Sequence, residues 1–192
     1  MKLERRAAMA ALVANRDDDL LVVPGLGSTA WDLAAAGDND RNFYLWGAMG
    51  GAAMIGLGLA LAQPRRPVVV ITGDGEMLMG LGALATIGGK QPNNLTIVVL
   101  DNGHYGVTGM QQSHAGAGID LVAIAKGCRF AQALAVTDIA EAGKVRALLH
   151  AGRGPVFVDA KVAAVAAPRV ALGRDAVANK ARFMEALKHD PE

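Results

Sequence analysis

Two short runs of apolar, mostly β-branched residues most constrain the fold of this chain. Residues 67–72 lead into Gly73-Asp74-Gly75, and residues 95–100 lead into Asp101 and Asn102. Runs of this kind are typical of buried parallel strands. Because the carboxyl ends of neighbouring parallel strands meet at one edge of a sheet, we expect Asp74 and Asn102 to lie side by side. A carboxylate and an amide oxygen together suit Mg²⁺ or Ca²⁺.

The remainder of the chain alternates between strand and helix patterns, which predicts an α/β protein with a parallel sheet covered on both faces. The irregular segment 103–118 should lie at the carboxyl edge, where such sheets bind ligands. We interpret residues 1–192 as one domain, with 161–192 a C-terminal extension that ends in a helix. Further strands are predicted at 20–24, 42–46, 132–136 and 155–160. Helices are predicted at 2–15, 50–62, 76–87, 119–127, 137–150 and 175–188. One more helix should run through Leu33, with Ser28 or Thr29 as its N-cap.

The Gly-Asp-Gly and Asn elements resemble the diphosphate-binding half of thiamine diphosphate (ThDP) enzymes. Asn102 follows Asp74 by 28 positions, which agrees with that signature. The resemblance implies the ThDP-binding fold, a three-layer doubly wound α/β sheet. It also implies that Mg²⁺ is held by Asp74, by the Asn102 side chain and by the backbone carbonyl of His104. The metal would clamp the diphosphate of ThDP, with Gly73, Gly75, Tyr105 and Gly106 in the same cofactor-binding set.

A third element of the resemblance lies upstream, in Gly47-Ala48-Met49-Gly50. In decarboxylase members of the family a bulky apolar residue at this place props the cofactor in its bent conformation. Met49 precedes Asp74 by 25 positions, and an unbranched thioether can fill a wedge between two rings. Gly47, Ala48 and Met49 are therefore assigned to the cofactor-binding set.

Residues 20–160 are similar to the small split decarboxylases of the sulfopyruvate and phosphonopyruvate decarboxylase type. Residues 25–29 occupy the place of their first phosphate loop, which assigns Gly25, Ser28 and Thr29 to cofactor binding. Residues 108–111 resemble a Thr-Gly-x-Gln stretch that follows the metal-binding Asn in these enzymes.

Two positions depart from the ThDP-enzyme pattern. Many members have Ser or Ala directly after Gly-Asp-Gly, whereas this chain has Glu76. A carboxylate in the first turn suits the helix dipole but would repel a diphosphate unless it were turned away. Glu76 is therefore interpreted as a capping residue within the cofactor-binding segment. In the family an Asn usually precedes the metal-binding Asn. This chain has Asp101 at that position, which either adds charge near the metal or starts a turn.

The glutamate that activates ThDP is missing from the motifs of this chain. In the family it belongs to a separate pyrimidine-binding domain, and the cofactor lies between the two domains. The resemblance therefore implies an α subunit as a second chain, in a hetero-oligomer such as α₂β₂ or larger. A large apolar surface on this chain alone should accompany such an arrangement.

The implied reaction is the decarboxylation of a small 2-oxo acid to an aldehyde and CO₂, with carbanion chemistry supplied by the cofactor. His104, His114 and Gln111 are candidate catalytic residues, and a histidine near the reacting carbon would suit proton transfer at neutral pH. Lys126 and Arg129 are candidate contacts for a dianionic substrate. Two alternatives remain open: a carboligase subunit of the acetolactate-synthase type, and a non-catalytic regulatory subunit.

Composition excludes several other classes of protein. The net charge of +1, without a basic cluster carrying aromatic residues, argues against nucleic acid as a partner. The apolar stretch 48–62 is too short for a membrane span. The single cysteine, Cys128, rules out an internal disulfide and predicts a structural thiol in a cytoplasmic protein.

Overall fold

The computed structural model describes residues 3–173 and 175–188. Its main feature is a parallel sheet of five strands, which lie side by side in the order Leu21–Pro24, Val68–Gly73, Leu95–Asp101, Val156–Lys161 and Gln132–Val136. This arrangement confirms the predicted α/β fold. The strands are β1 (Leu21–Pro24), β2 (Val68–Gly73), β3 (Leu95–Asp101), β6 (Gln132–Val136) and β7 (Val156–Lys161), with a small antiparallel pair β4 (His104–Tyr105) and β5 (Gln111–Gln112).

Helices cover both faces of the sheet, so that alternate side chains of each strand enter two separate cores. Val69 and Ile71 of β2 belong to one core, whereas Val68 and Val70 belong to the other. This explains why the central strands are apolar throughout rather than alternating. The helices are α1 (Arg5–Val13), α2 (Ser28–Ala36), α3 (Ala52–Ala62), α4 (Asp74–Met79), α5 (Gly82–Lys90), α6 (Leu121–Gly127), α7 (Ala142–His150, preceded by a 3₁₀ turn at Ile139–Glu141) and α8 (Ala176–Ala186).

The predicted helix 76–87 is wrong in that two helices, α4 and α5, replace it. The break lies at Gly80, where an added Cβ would come 2.0 Å from the carbonyl oxygen of Gly50. The chain therefore bends where α4 meets the Gly50 turn. A continuous helix with a side chain at this position would push that turn away from the sheet.

The predicted strand 42–46 is also wrong, because only Asn42 forms a β-bridge, to Val22 of the edge strand β1. After one further backbone bond, from Phe43 N to Val22 O at 2.8 Å, the segment leaves the sheet. The ring of Phe43 instead packs edge-on against Phe183 of α8, with 5.2 Å between the ring centroids. Packing against the C-terminal helix thus replaces strand pairing here.

Neither Ser28 nor Thr29 caps helix α2, contrary to the prediction. The N-cap is Gly27, which has a φ of +72° and no side chain with which to cap. Thr29 lies inside the first turn, and its hydroxyl donates to the carbonyl oxygen of Gly25 at 2.8 Å. The positive φ lets the chain reverse direction between β1 and α2, which leaves Ser28 facing the cavity described next.

Candidate cofactor and metal site

A cavity of about 200 Å³ lies at the carboxyl ends of the central strands. It unites most of the residues that the sequence assigned to the cofactor. The register that pairs Gly73 with Leu100 brings the ends of β2 and β3 to one level, as expected from the sequence. The described lining residues are Arg5, Leu26, Gly27, Ser28, Thr29, Met49, Gly73, Asp74, Gly75, Glu76, Leu100, Asn102, His104, Tyr105, Gly106, Val107 and Thr108.

Asp74 and Asn102 are both buried at this edge. The Asp74 carboxylate accepts a hydrogen bond from the Ser113 hydroxyl, and the backbone amide of Asn102 lies close enough to lower its pKa. Burial raises the pKa of Asp74, and the Ser113 hydrogen bond partly offsets that rise. The Asn102 side-chain oxygen accepts from the His104 amide at 2.8 Å, which holds it beside the carboxylate. Two hard oxygen donors thus border the same cavity.

The two glycines around Asp74 serve different purposes. A Cβ on Gly75 would lie 2.4 Å from the ring of Tyr105, so the second glycine is required by a protein neighbour. A Cβ on Gly73 would meet no described atom within 4 Å, although Gly73 lines the cavity. The first glycine therefore keeps open a space beside the Asp74 carboxylate, which is the kind of space that a bound ligand can use.

Glu76 does not cap helix α4, contrary to the prediction. Its buried carboxylate accepts from the Leu26 amide at 3.0 Å, the Thr72 hydroxyl at 2.9 Å and the Gly50 amide at 3.4 Å. Burial raises the pKa of Glu76, and these donors lower it again in part. The side chain turns back under the sheet edge because Gly25 leaves room for it: a Cβ there would lie 1.8 Å from Glu76 Oε2. Glu76 therefore joins two loops that line the cavity.

Met49 lines the cavity from a tight turn. Gly51 N donates to Ala48 O at 2.8 Å, and the turn places Ala48 at a φ of +59° and Gly50 at +93°. An alanine in the left-handed region is uncommon and costs conformational energy. Gly47 and Ala48 are exposed and do not line the cavity. They shape the turn that presents Met49, and their direct contact with a cofactor stays a prediction.

The three candidate catalytic residues are not brought together. His104 lines the cavity, with its Nδ1 at 3.0 Å from the Asn102 carbonyl oxygen. Because a carbonyl oxygen only accepts, Nδ1 donates the proton in this contact. Gln111 is exposed and bonds Thr108 through both ends of its amide. His114 is exposed as well, and neither residue lines the cavity of this chain. Their catalytic roles stay predictions.

Asp101, Asp159 and Lys161 form a charged cluster next to Asn102, and of these three only Asp101 was considered from the sequence. Asp101 accepts from the Gly103 amide at 2.8 Å and also pairs with Lys161, so it both starts a turn and carries charge. Lys161 contacts Asp159 as well, at 2.7 Å. Both carboxylates are buried. The available signal was Asp159 itself, since an acidic residue inside an apolar strand implies a buried partner.

Asp159 should make the stability of the metal-free protein depend on pH. Burial raises the pKa of Asp159 to about 6. The Lys161 ammonium opposes this rise, whereas the nearby carboxylates of Asp101 and Asp74 add to it. The folded state then binds more protons than the unfolded state between about pH 4 and 6, so the free energy of unfolding falls as pH rises through that window. We expect Asp159→Asn to remove a decline on the order of 3 kcal/mol, at about 1.4 kcal/mol per pKa unit.

Urea unfolding of both proteins at several pH values between 4 and 7, without divalent metal, measures this decline. Asp18→Asn is the matched control, because Asp18 is exposed and its removal should leave the pH slope unchanged. Identical slopes for the wild type and Asp159→Asn would contradict the assignment.

The family described as "Thiamine pyrophosphate enzyme, C-terminal TPP binding domain" matches residues 8–160. The chain belongs to this family. Its cofactor is therefore ThDP, used with a divalent metal that is typically Mg²⁺.

Relatives of this ThDP-binding domain include several decarboxylases. The chain is 43% identical to a phosphonopyruvate decarboxylase of Streptomyces viridochromogenes over 154 residues, which cover 80% of this chain and 38% of that protein. It is 46% identical to the sulfopyruvate decarboxylase subunit beta of Methanothermobacter thermautotrophicus over 130 residues, covering 68% and 69% respectively. It is 45% identical to the corresponding subunit of Methanocaldococcus jannaschii, covering 61% and 62%. The chain thus spans little more than a third of the first of these relatives.

Solved structures show the same fold. The benzoylformate decarboxylase of Polynucleobacter necessarius superposes with a TM-score of 0.76 at 21% identity, covering 88% of this chain and 34% of that one.

None of the helices that the structure describes combines the length and apolar character that crossing a membrane would require.

The residues at the cavity fit the cofactor of the family. Asp74 and Asn102 supply the carboxylate and amide oxygens that Mg²⁺ prefers, and Mg²⁺ takes few protein ligands when phosphates complete its shell. Gly73 leaves the adjacent space free, and Ser28 and Thr29 border the cavity from the first turn of α2. Asp74 and Asn102 would therefore hold the metal at the diphosphate, and the contribution of the His104 carbonyl stays a prediction.

Proposed function

We propose that this chain is the β subunit of a split, ThDP- and Mg²⁺-dependent decarboxylase. Its substrate would be a small 2-oxo acid of the sulfopyruvate or phosphonopyruvate kind, and its products an aldehyde and CO₂. The observation that carries the proposal is the single cavity at which Asp74, Asn102 and Met49 meet. The names of the relatives support the reaction class.

Each residue would have a defined task in this reaction. Asp74 and Asn102 would anchor the metal and through it the diphosphate, and Met49 would support the bent cofactor from its turn at the cavity. When bound, ThDP supplies the stabilisation of negative charge at the carbon that loses CO₂. His104, which lines the cavity, would exchange protons with the reacting group.

A second chain would have to complete the site. Among the described residues that line the cavity, Glu76 is the only glutamate, and both of its oxygens are bound to protein donors. It is therefore not available to activate the cofactor, which favours a partner that supplies a glutamate from a pyrimidine-binding domain. We propose a hetero-oligomer such as α₂β₂ or larger, located in the cytoplasm.

Exposed apolar side chains support such a partner. Contiguous exposed apolar surface usually marks an interaction site. The Met49 turn packs against Met79 through Gly50, and Val107 and Met110 extend from the β4–β5 hairpin. The exposed large apolar side chains on these segments and on nearby α3 have exposed fractions of 42% to 59%: Trp46, Met49, Met54, Leu61, Met79, Val107 and Met110.

The test is purification of the tagged chain from its native cells, with partner chains and ThDP identified by mass spectrometry. The purified material is then assayed with sulfopyruvate, phosphonopyruvate and pyruvate for CO₂ and aldehyde. We expect a co-purifying chain, bound ThDP and aldehyde formation from at least one acidic 2-oxo acid.

The products separate this proposal from its alternatives. A coupled hydroxyketone in place of the aldehyde would indicate a carboligase subunit instead. A complex that binds ThDP but is inactive with all three acids would overturn the decarboxylase assignment, and a chain recovered without ThDP or partner would favour a non-catalytic role.

A further inference from the structure

Two arginines of helix α1 share one buried carboxylate. Asp32 of α2 is fully buried, and it accepts from Arg5 Nε through one oxygen and from Arg6 Nε at 3.1 Å through the other. Two guanidinium groups on one carboxylate leave a net positive charge at this contact. Burying such a charge is costly unless further acceptors are present.

The two arginines differ in what their remaining nitrogens contact. Arg6 is 28% exposed, and one of its terminal nitrogens donates to the Pro168 carbonyl at 2.6 Å. The Arg5 side chain is only 9% exposed and lines the cofactor cavity. Within residues 3–173 and 175–188, the recorded hydrogen bond of Arg5 uses Nε alone. Its two terminal nitrogens are thus the atoms left for a ligand.

We infer that Arg5 is an anion-binding residue of the cavity, and that it donates its terminal guanidinium nitrogens to a tetrahedral oxyanion. Arginine suits phosphate, phosphonate and sulfonate groups because its fork of donors matches their geometry. Two sources of this chemistry enter the cavity: the diphosphate of the cofactor and, if the proposed function holds, the distal group of the substrate. The second source rests on that proposed function.

Charge in the cavity supports this role. Among the described residues that line it, Arg5 is the only one with a permanent positive charge, and it faces a site that already contains Asp74 and Glu76. Lys126 and Arg129, the cations suggested from sequence, are exposed near the end of α6 and do not line the cavity. Arg5 also precedes residues 8–160, the segment matched by the family.

Arg5→Gln tests the inference, with Arg6→Gln as the matched control. Both changes remove one charge from the same helix and one bond from Asp32, and each leaves Asp32 the other arginine as a partner. The assembled complex is titrated with ThDP and with thiamine monophosphate in Mg²⁺ by calorimetry. The ThDP-loaded complex is then titrated with sulfoacetate and with acetate, which require no turnover.

Either of two results would support the inference. Weaker ThDP binding by roughly 10- to 100-fold in Arg5→Gln, with a smaller preference over thiamine monophosphate, would identify the diphosphate as the ligand. Unchanged ThDP binding with loss of the preference for sulfoacetate over acetate would identify the substrate group. Arg5→Lys, which retains the charge, should lose less than Arg5→Gln in whichever titration responds.

Equal affinities of Arg5→Gln and Arg6→Gln for all four ligands would overturn the inference. Thermal unfolding of both variants without ligand separates a loss of binding from a loss of folding. If the complex decarboxylates no acid, the proposed function fails, whereas these titrations still decide the role of Arg5.

Discussion

Asp74→Asn is expected to weaken the binding of ThDP with Mg²⁺ by roughly 100-fold or more and to abolish turnover of the assembled enzyme. Loss of a residue that merely supports a metal ligand already costs about 10- to 100-fold, and Asp74 is the one carboxylate of the proposed ligand set. Asparagine has the same shape and can still accept from the Ser113 hydroxyl that contacts Asp74. The fold should therefore survive, and calorimetric titration of ThDP at several Mg²⁺ concentrations measures the loss.

Ser113→Ala is the graded companion to that experiment. It removes the hydroxyl that orients the Asp74 carboxylate but leaves the carboxylate, so we expect a smaller loss of about 10-fold, as for other residues that orient a metal ligand. Unchanged ThDP affinity in Asp74→Asn would refute the metal assignment.

Glu76→Ala is expected to lower both the free energy of unfolding and the affinity for ThDP. The substitution leaves the amides of Leu26 and Gly50 without their acceptor, and a buried unsatisfied donor costs about 1 to 3 kcal/mol. We expect a loss of about 2 to 4 kcal/mol in urea unfolding without cofactor. The two loops lose their common attachment, so ThDP binding should weaken by roughly 10-fold or more, as when groups that support a metal site are removed.

Thr72→Val separates the tethering of the loops from the burial of polar groups. Thr72 contributes one of the three donors to Glu76, at 2.9 Å, but lies on strand β2 rather than on a loop. Its replacement should cost stability, about 1 kcal/mol, and leave ThDP affinity near that of the wild type. The stability and the ThDP affinity of Glu76→Gln should lie between those of Thr72→Val and Glu76→Ala, because an amide retains only one of the two acceptor oxygens. Wild-type ThDP affinity in Glu76→Ala would contradict the tethering role.

The sheet and the position of the site were predictable because they depend on local patterns. Residues 67–72 and 95–100 are too apolar for exposed strands, and all of them except the half-buried Pro67 are buried in the structure. Parallel pairing then forces Asp74 and Asn102 to the same edge. The errors occurred where local pattern competes with packing: helix 76–87 breaks at Gly80 because Gly50 lies against it, and residues 42–46 leave the sheet to pack on α8.

Glu76 illustrates why side-chain direction escaped prediction. An acidic residue in the first turn of a helix ordinarily suits the helix dipole. Here the carboxylate turns instead to amides that lie 50 and 26 positions away in the chain, at Leu26 and Gly50. No spacing rule encodes those contacts, which exist only because Gly25 leaves the space for them.

By itself the sequence determined the α/β fold, the strand-end placement of Asp74 and Asn102 and the ThDP family, because strand periodicity and motif spacing are local properties. The tertiary structure decided which side chains share the cavity. It brought Arg5 to the cavity wall, turned Glu76 beneath it and left Gln111 and His114 outside. Contacts between residues far apart in sequence depend on how helices and loops pack on the sheet, and that packing is a property of the whole chain.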